Sequence, residues 1–338
     1  MSTTLLSLAV LLISAVRACA ALKFPAFSHQ TVIRMASFSS VSATSASEED
    51  KWAGMAGLYS SQASRLTELH GADLVTILKN DILHAKTILD VGCGTGAFAK
   101  AYLQQFPKGV PGQTLILSDL SEGMLQKAKD TVKPGSDCQT KIVFQVEDGT
   151  KLAGVADDSI DIVVSLFGVF LIPDQDAAMK AIARVLKPGN GVFANGSWMF
   201  GQSDYFSSQG FGVSLQDAFK LPNDIIDPSK NDDLAYLKWG TADDCRVLLG
   251  NHVPDNNSIQ CYNVIHNTVW QFDDLWTMMV QNPMSALQGA SDNDFSKARD
   301  ALHDFVTDNG KLSLQDPLML STASILAVAK GFGNAPLE

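Results

Sequence analysis

The residues best placed to do chemistry lie in Ile88-Leu89-Asp90-Val91-Gly92-Cys93-Gly94-Thr95-Gly96, an apolar run that carries a carboxylate and passes into glycines at every second position. Glycine lets a backbone turn sharply and approach a bound molecule closely, and open α/β sheets take ligands at the carboxyl ends of their strands. Counting Ala97 as its last member, the loop also satisfies a dinucleotide pattern, so the glycines alone leave the ligand open. Asp90 weighs against a dinucleotide: a carboxylate just before the glycines repels a pyrophosphate and attracts a cationic amino group. Cys93 has no basic neighbour to make it a reactive thiolate and reads as a small loop filler.

Two further aspartates stand where later strands should end. Asp119, in LILSDLSEGML, is placed to accept both hydroxyls of a ribose, and Asp148, in QVEDGTKL, is placed at an adenine amino group. Either one alone would pass for a helix cap or a solvated loop residue. Their register after the glycine loop is what makes them ligand candidates.

Four motifs then stand in order: LDVGCGTG at Leu89 to Gly96, DLSxxML at Asp119 to Leu125, DxxxL at Asp148 to Leu152, and RVLKPG at Arg184 to Gly189. In these the sequence resembles the class I S-adenosylmethionine-dependent methyltransferases, specifically the broad type 11 group; Asn190, inserted before Gly191, departs from the pattern. The resemblance implies a Rossmann-like, doubly wound, mostly parallel seven-stranded α/β sheet with S-adenosylmethionine as cofactor. It implies that Asp90, Gly92, Cys93, Gly94 and Gly96 line the donor site and that Asp119 holds the ribose. Leu120 and Met124 would pack near the adenine, Asp148 with Gly149 would read its edge, and Ser165 would line the methionine side.

Methyl transfer from a sulfonium to a small-molecule acceptor is an in-line displacement, so the protein chiefly aligns the reactants and excludes water. No dedicated catalytic residue and no metal site is read from the sequence. A hydroxyl acceptor would need a base, for which His252 and His266 are the candidates. The acceptor pocket is expected behind the fourth and fifth strands, walled by Phe167, Trp198 and Tyr59; Phe170 suits the core as well as the pocket. An NAD(P)-binding oxidoreductase and a catalytically silent donor-binding scaffold are the competing readings. The aspartates separate the methyltransferase from the first, and turnover with a metabolite panel separates it from the second.

These residues need a frame. Alternating strand and helix periods predict a parallel sheet with helices on its faces, with strands at 87–91, 114–118, 141–146, 160–165 and 192–194. Helices are predicted at 97–106, 121–132 with Ser121 as N-cap, and 175–186, preceded by a helix through Leu74, Ile77, Leu78 and Ile82. The core would span 48–198. Residues 199–258, rich in Asp, Asn, Pro and Ser, read as an inserted, scarcely buried lid rooted at Trp198. A β-rich stretch at 259–272, helices at 273–281 and 294–308, and an apolar run at 325–329 would complete the sheet and a helical cap over 259–338.

The 338 residues carry 36 acidic against 25 basic side chains, a net charge of -11, with no basic run to neutralise phosphates, so nucleic acid is not expected as a partner. The five cysteines lack metal-ligand spacing. Residues 1–47 read as a leader. The apolar run at 5–16 followed by Ala18-Cys19-Ala20 suits a signal peptidase, and the acid-free, hydroxyl-rich stretch behind it suits a transit peptide. Together they resemble the bipartite presequence of proteins bound for complex plastids, with secretion as the alternative. No stable transmembrane anchor is expected, since the apolar run is too short to span a bilayer.

Overall fold

The computed structural model describes residues 52–53, 56–57, 64–199, 213–228, 238–253, 255, 258–281, 285–307, 313 and 316–332. The leader and Tyr59 lie outside them. Helix α1 (Ser64–Ile77) buries Leu66, Thr67, His70, Gly71, Leu74 and Val75, a three-and-four spacing that turns one face inward. It leads through Leu78 into α2 (Lys79–His84) and then into strand β1 (Thr87–Val91). Further strands and helices follow: α3 (Ala97–Gln105), β2 (Thr114–Asp119), α4 (Glu122–Thr131), β3 (Lys141–Val146), β4 (Ile162–Leu166), α5 (Gln175–Val185) and β5 (Val192–Trp198). Ser121 caps α4 by accepting from the Met124 N–H, and Asp174 caps α5 by accepting from Ala177. Each cap satisfies a backbone donor that the first helical turn leaves open.

The rest of the chain supplies β6 (Val213–Ser214), α6 (Leu215–Ile226), α7 (Ala242–Gly250), β7 (Ile259–Trp270), α8 (Phe272–Gln281), α9 (Asp292–Val306) and β8 (Leu318–Lys330). The sheet runs β3-β2-β1-β4-β5-β8, with β7 on the far side of β8 and β6 continuing the β5 edge of β8. Strands β1 to β5 are parallel, and β8 is antiparallel to both β5 and β7. From β1 the chain winds outward to β2 and β3, then crosses back to β4 and β5, so the order reverses between β1 and β4. A crevice opens at the carboxyl ends of strands at such a reversal.

Ile88, Leu89, Val163, Val164, Phe193 and Ala194 are buried because helices cover both sheet faces, which is why these strands read as continuous apolar runs. A second apolar cluster gathers Leu215, Trp270, Leu275, Met279, Leu302, Leu318 and Leu320 from β6–α6, α8, α9 and the facing strand ends. Each such side chain contributes roughly 1.5–3 kcal/mol of burial free energy.

Three expectations change. The sheet has eight strands rather than seven, because two residues of the presumed lid, Val213 and Ser214, pair with Leu320 and Ser321. The fourth strand starts at Ile162; Ile160 makes only an isolated bridge to Leu186. The scarcely buried character read for 199–258 fails in its described parts: Leu215, Ala218, Trp239, Cys245 and Leu249 are all buried. Their apolar positions recur at helical intervals among polar residues, so the average composition conceals two packed helices, α6 and α7.

Candidate donor and acceptor sites

The glycine loop leaves β1 at the reversal point; its Cys93 N–H donates to the Ser118 carbonyl of β2 and its Gly96 N–H donates to the Cys93 carbonyl, both at 2.9 Å. Gly92 has φ +67°, and a Cβ there would lie 3.1 Å from the Gly168 Cα. Gly96 has φ +85°, and a Cβ there would press to 2.5 Å on the Val132 Cγ2 while the residue starts α3. Both positions strain a side chain by conformation, and Gly96 denies it space as well.

Asp90 lies directly beneath this loop, 1% exposed, and neither carboxylate oxygen has a hydrogen-bond partner. Burial first, and the neighbouring Asp119 second, push its carboxyl up to about 8. The Thr95 hydroxyl is also buried without a partner. Asp119, by contrast, is tied into the loop: one oxygen accepts from the Gly94 N–H at 2.8 Å and the other from the Ser121 N–H at 2.9 Å. Burial raises its carboxyl and these two bonds oppose the rise. Asp148 differs again. Its carboxylate accepts from Lys151 and from the Thr150 hydroxyl and N–H, and these partners, Lys151 foremost, hold it down to about 2. Asp148 organises its own turn.

The remaining predicted donor-side residues separate into exposed and buried. Leu120 stands 41% exposed at the end of β2, while Met124 and Cys93 are buried. A Cβ at Gly149 would meet Ile172 at 2.7 Å, so this glycine brings the β3 turn against Ile172 and, at 3.4 Å, Val91. Ser165 departs from its expected role. Its hydroxyl donates to the Val91 carbonyl and accepts from the Val169 N–H, both at 2.8 Å, and the residue is fully buried. It braces β4 against β1 instead of facing outward.

On the other side of the reversal, Phe167 adopts φ +62°, unusual for a bulky residue, and stacks on Trp198 with ring centroids 3.8 Å apart. Phe170 is 2% exposed and belongs to the core. The imidazole of His70, from α1, meets Phe167, Trp198 and His266 edge-on at 5.6, 5.4 and 4.7 Å. Its Nδ1 is 2.8 Å from the Ser324 hydroxyl and its Nε2 3.3 Å from that of Thr322. Burial, and then His266, lower its pKa to about 3, so the ring is neutral. His266 Nε2 lies 2.6 Å from the Asp73 carboxylate, one helical turn along α1. His252 is removed from the site: it stacks on Phe332, just past Lys330, which pairs with Val192 at the opposite end of β5.

Residues 88–189 match the family model described as a methyltransferase domain. This segment is a class I S-adenosylmethionine-dependent methyltransferase domain. Methyltransferase GfsG of Streptomyces halstedii is 33% identical over 109 residues, 32% of this chain and 37% of that protein. The ubiquinone/menaquinone biosynthesis C-methyltransferase UbiE of Francisella tularensis is 31% identical over 114 residues, 34% of this chain and 44% of that protein. The chain thus spans about two fifths of the length of these curated relatives. Among solved structures, the YcgJ protein of Bacillus subtilis aligns with 77% of this chain and 97% of its own at 18% identity and a TM-score of 0.47.

The cofactor of this domain class is S-adenosylmethionine. The methyltransferase domain holds the glycine loop, Asp119, Asp148 and Phe167 within its matched span, while Trp198, His70 and the β7–β8 residues come from outside it. Sequence reasoning missed Gly168, His70 and Asp73. A Cβ at Gly168 would lie 2.7 Å from both the Ser165 hydroxyl and the Val91 carbonyl, so this glycine lets the β4 loop close on the glycine loop. A glycine two residues past a strand end is the signal available for it. The two α1 residues carry no local signal, because their partners lie 193 to 254 positions away.

Proposed function

We propose that this chain transfers a methyl group, in line, from S-adenosylmethionine to a small, flat or apolar acceptor at the carboxyl edge of the sheet. The observation that carries the reading is Asp90: a fully buried carboxylate with two partnerless oxygens beneath a glycine loop. Such a group is costly unless a cation completes it. The donor, when bound, supplies a methyl group activated by a positively charged sulfur.

The chain's own residues supply binding and alignment. Asp90 offers a counter-charge for a cationic amino group. Asp119 uses one lone pair on each oxygen to hold Gly94 and Ser121, which leaves capacity for two hydroxyl donors. Leu120 gives an exposed apolar surface for a base at the end of β2. Asp148 is occupied by Thr150 and Lys151, so its part is to fix the turn that carries the Gly149 backbone. Phe167 and Trp198 form a stacked wall for the acceptor and exclude water, and the described parts of 199–258 close this region as packed elements.

The test is incubation of the full chain with radiolabelled donor and a fractionated cell extract, followed by identification of the labelled product, beside calorimetry with the donor and with NADH. Donor binding and a labelled small molecule are expected. Tight NADH binding without donor binding would overturn the reading. We propose in addition that residues 1–47 direct the protein into a plastid or the secretory route. A fluorescent fusion of these residues should leave the cytosol; diffuse cytosolic signal contradicts it.

A further inference from the structure

His70, Asp73 and His266 bring one potential ligand atom each to within 4.8 Å of one another. The first two stand three positions apart on one face of α1, and the third sits in the middle of the twelve-residue strand β7. We propose that these three side chains form a binding site for a divalent first-row transition ion, beside the Phe167–Trp198 wall. The proposal does not depend on the methyltransferase reading.

Two imidazoles and one carboxylate are the ligand set of three-ligand zinc sites and of related iron, cobalt and nickel sites, and they leave coordination positions open. Calcium and magnesium, which prefer all-oxygen shells, are disfavoured. The surroundings meet the other requirements. The shorter of the two His70 contacts, Nδ1 to Ser324, can hold the ring in orientation as outer partners of metal-bound histidines do. The longer contact, Nε2 to Thr322, is the one a metal would replace, and Thr322 is the register partner of His266. Asp73 and His266 are both partly exposed, which gives an ion a path in. Coordination through the His266 Nε2 requires that nitrogen to present its lone pair to the ion in place of its contact with Asp73. The 2.6 Å contact between His266 and Asp73 is exchanged for two metal bonds.

An ion there could draw an acceptor oxygen to the edge of Trp198. The test needs no acceptor. Untagged full-length protein, stripped with chelator, is titrated with Co²⁺ while visible absorption is followed, then challenged with Zn²⁺. One equivalent of Co²⁺ with ligand-field bands, displaced by Zn²⁺, is expected. Asp73→Asn and His266→Ala, at partly exposed positions that leave the core intact, should each weaken Co²⁺ binding by roughly 100-fold or more. Thermal melts verify that both variants fold. No stoichiometric Co²⁺ binding, or equal binding by wild type and both variants, overturns the site. S-adenosylmethionine calorimetry on the same samples reports separately on the donor site, so failure of one reading is distinguishable from failure of the other.

Discussion

The two sides of the β1–β4 reversal are built on opposite principles. On the donor side, β1 to β3 place a loop of closely spaced glycines over a carboxylate with no partner, and the polar groups are arranged for something that comes from outside. On the far side, where β4, β5, β7, β8 and α1 meet, the histidines are partnered within the protein, His70 with Ser324 and Thr322 and His266 with Asp73, while the buried Asn195 amide of β5 has no partner. The first region is local in sequence and electrostatically incomplete. The second is assembled from distant segments, and its histidines already have partners. A carboxylate without a partner needs a ligand; a partnered histidine must first exchange its contact.

The largest expected effect comes from filling the donor loop. Gly96→Val adds a side chain where φ is +85° and a Cβ already meets Val132, and should cost about 3 kcal/mol or more of stability, read as a lower denaturant midpoint. A Gly96→Val variant as stable as the wild type would show that the loop is not held as described. Next in size is Asp119→Ala. It removes the anchors of Gly94 and Ser121 and should weaken S-adenosylmethionine by about 1.5–3 kcal/mol in calorimetry. On the opposite side, Trp198→Ala should leave donor affinity within about threefold while methyl transfer falls by about tenfold or more through lost alignment. Loss of donor affinity instead would merge the two regions into one site.

The chain made the first region legible and hid much of the second. The glycine spacing, the aspartates at strand ends and the helix cap at Ser121 are consecutive features whose physics is local, so they could be read directly. Phe167 and Trp198 stand at strand ends, a position a short window of sequence exposes. His70 and Asp73 have no such signal, because their meaning depends on a packing of α1 against β7 and β8 that no short window encodes. The averaging that hid those contacts also made 199–258 look like an open lid: buried Trp239 and Leu249 are outnumbered by polar neighbours. Ser165 stood at the correct strand end, but its hydroxyl serves the backbone of β1 and the following turn.

The two regions should also respond to pH with opposite sign. Asp90 has a carboxyl raised from 3.8 to about 8, so between these values the native protein holds a proton that the unfolded chain has lost, and stability falls as pH rises. His70 is lowered from 6.5 to about 3, so in that window the unfolded chain holds the extra proton and stability falls as pH drops. Between pH 6.5 and 8 only the first acts, and donor-free protein should lose on the order of 2 kcal/mol, a loss that Asp90→Asn should flatten. Denaturant midpoints across pH check both slopes. The smallest effect is expected at Asp148→Ala, under about 1 kcal/mol in donor affinity, because this carboxylate is already satisfied by its own turn.

The most direct measurement of the central claim, that Asp90 awaits a cation, is the proton balance of donor binding. Free protein at pH 7 carries Asp90 protonated; a bound ammonium would favour its ionised form and drive a proton into solution. Calorimetric titration of S-adenosylmethionine in two buffers of different ionisation enthalpy should therefore show release of about one proton at pH 7. Asp90→Asn should abolish that release and weaken binding by about tenfold or more. Donor binding without proton release, at an affinity unchanged in Asp90→Asn, would contradict the assignment.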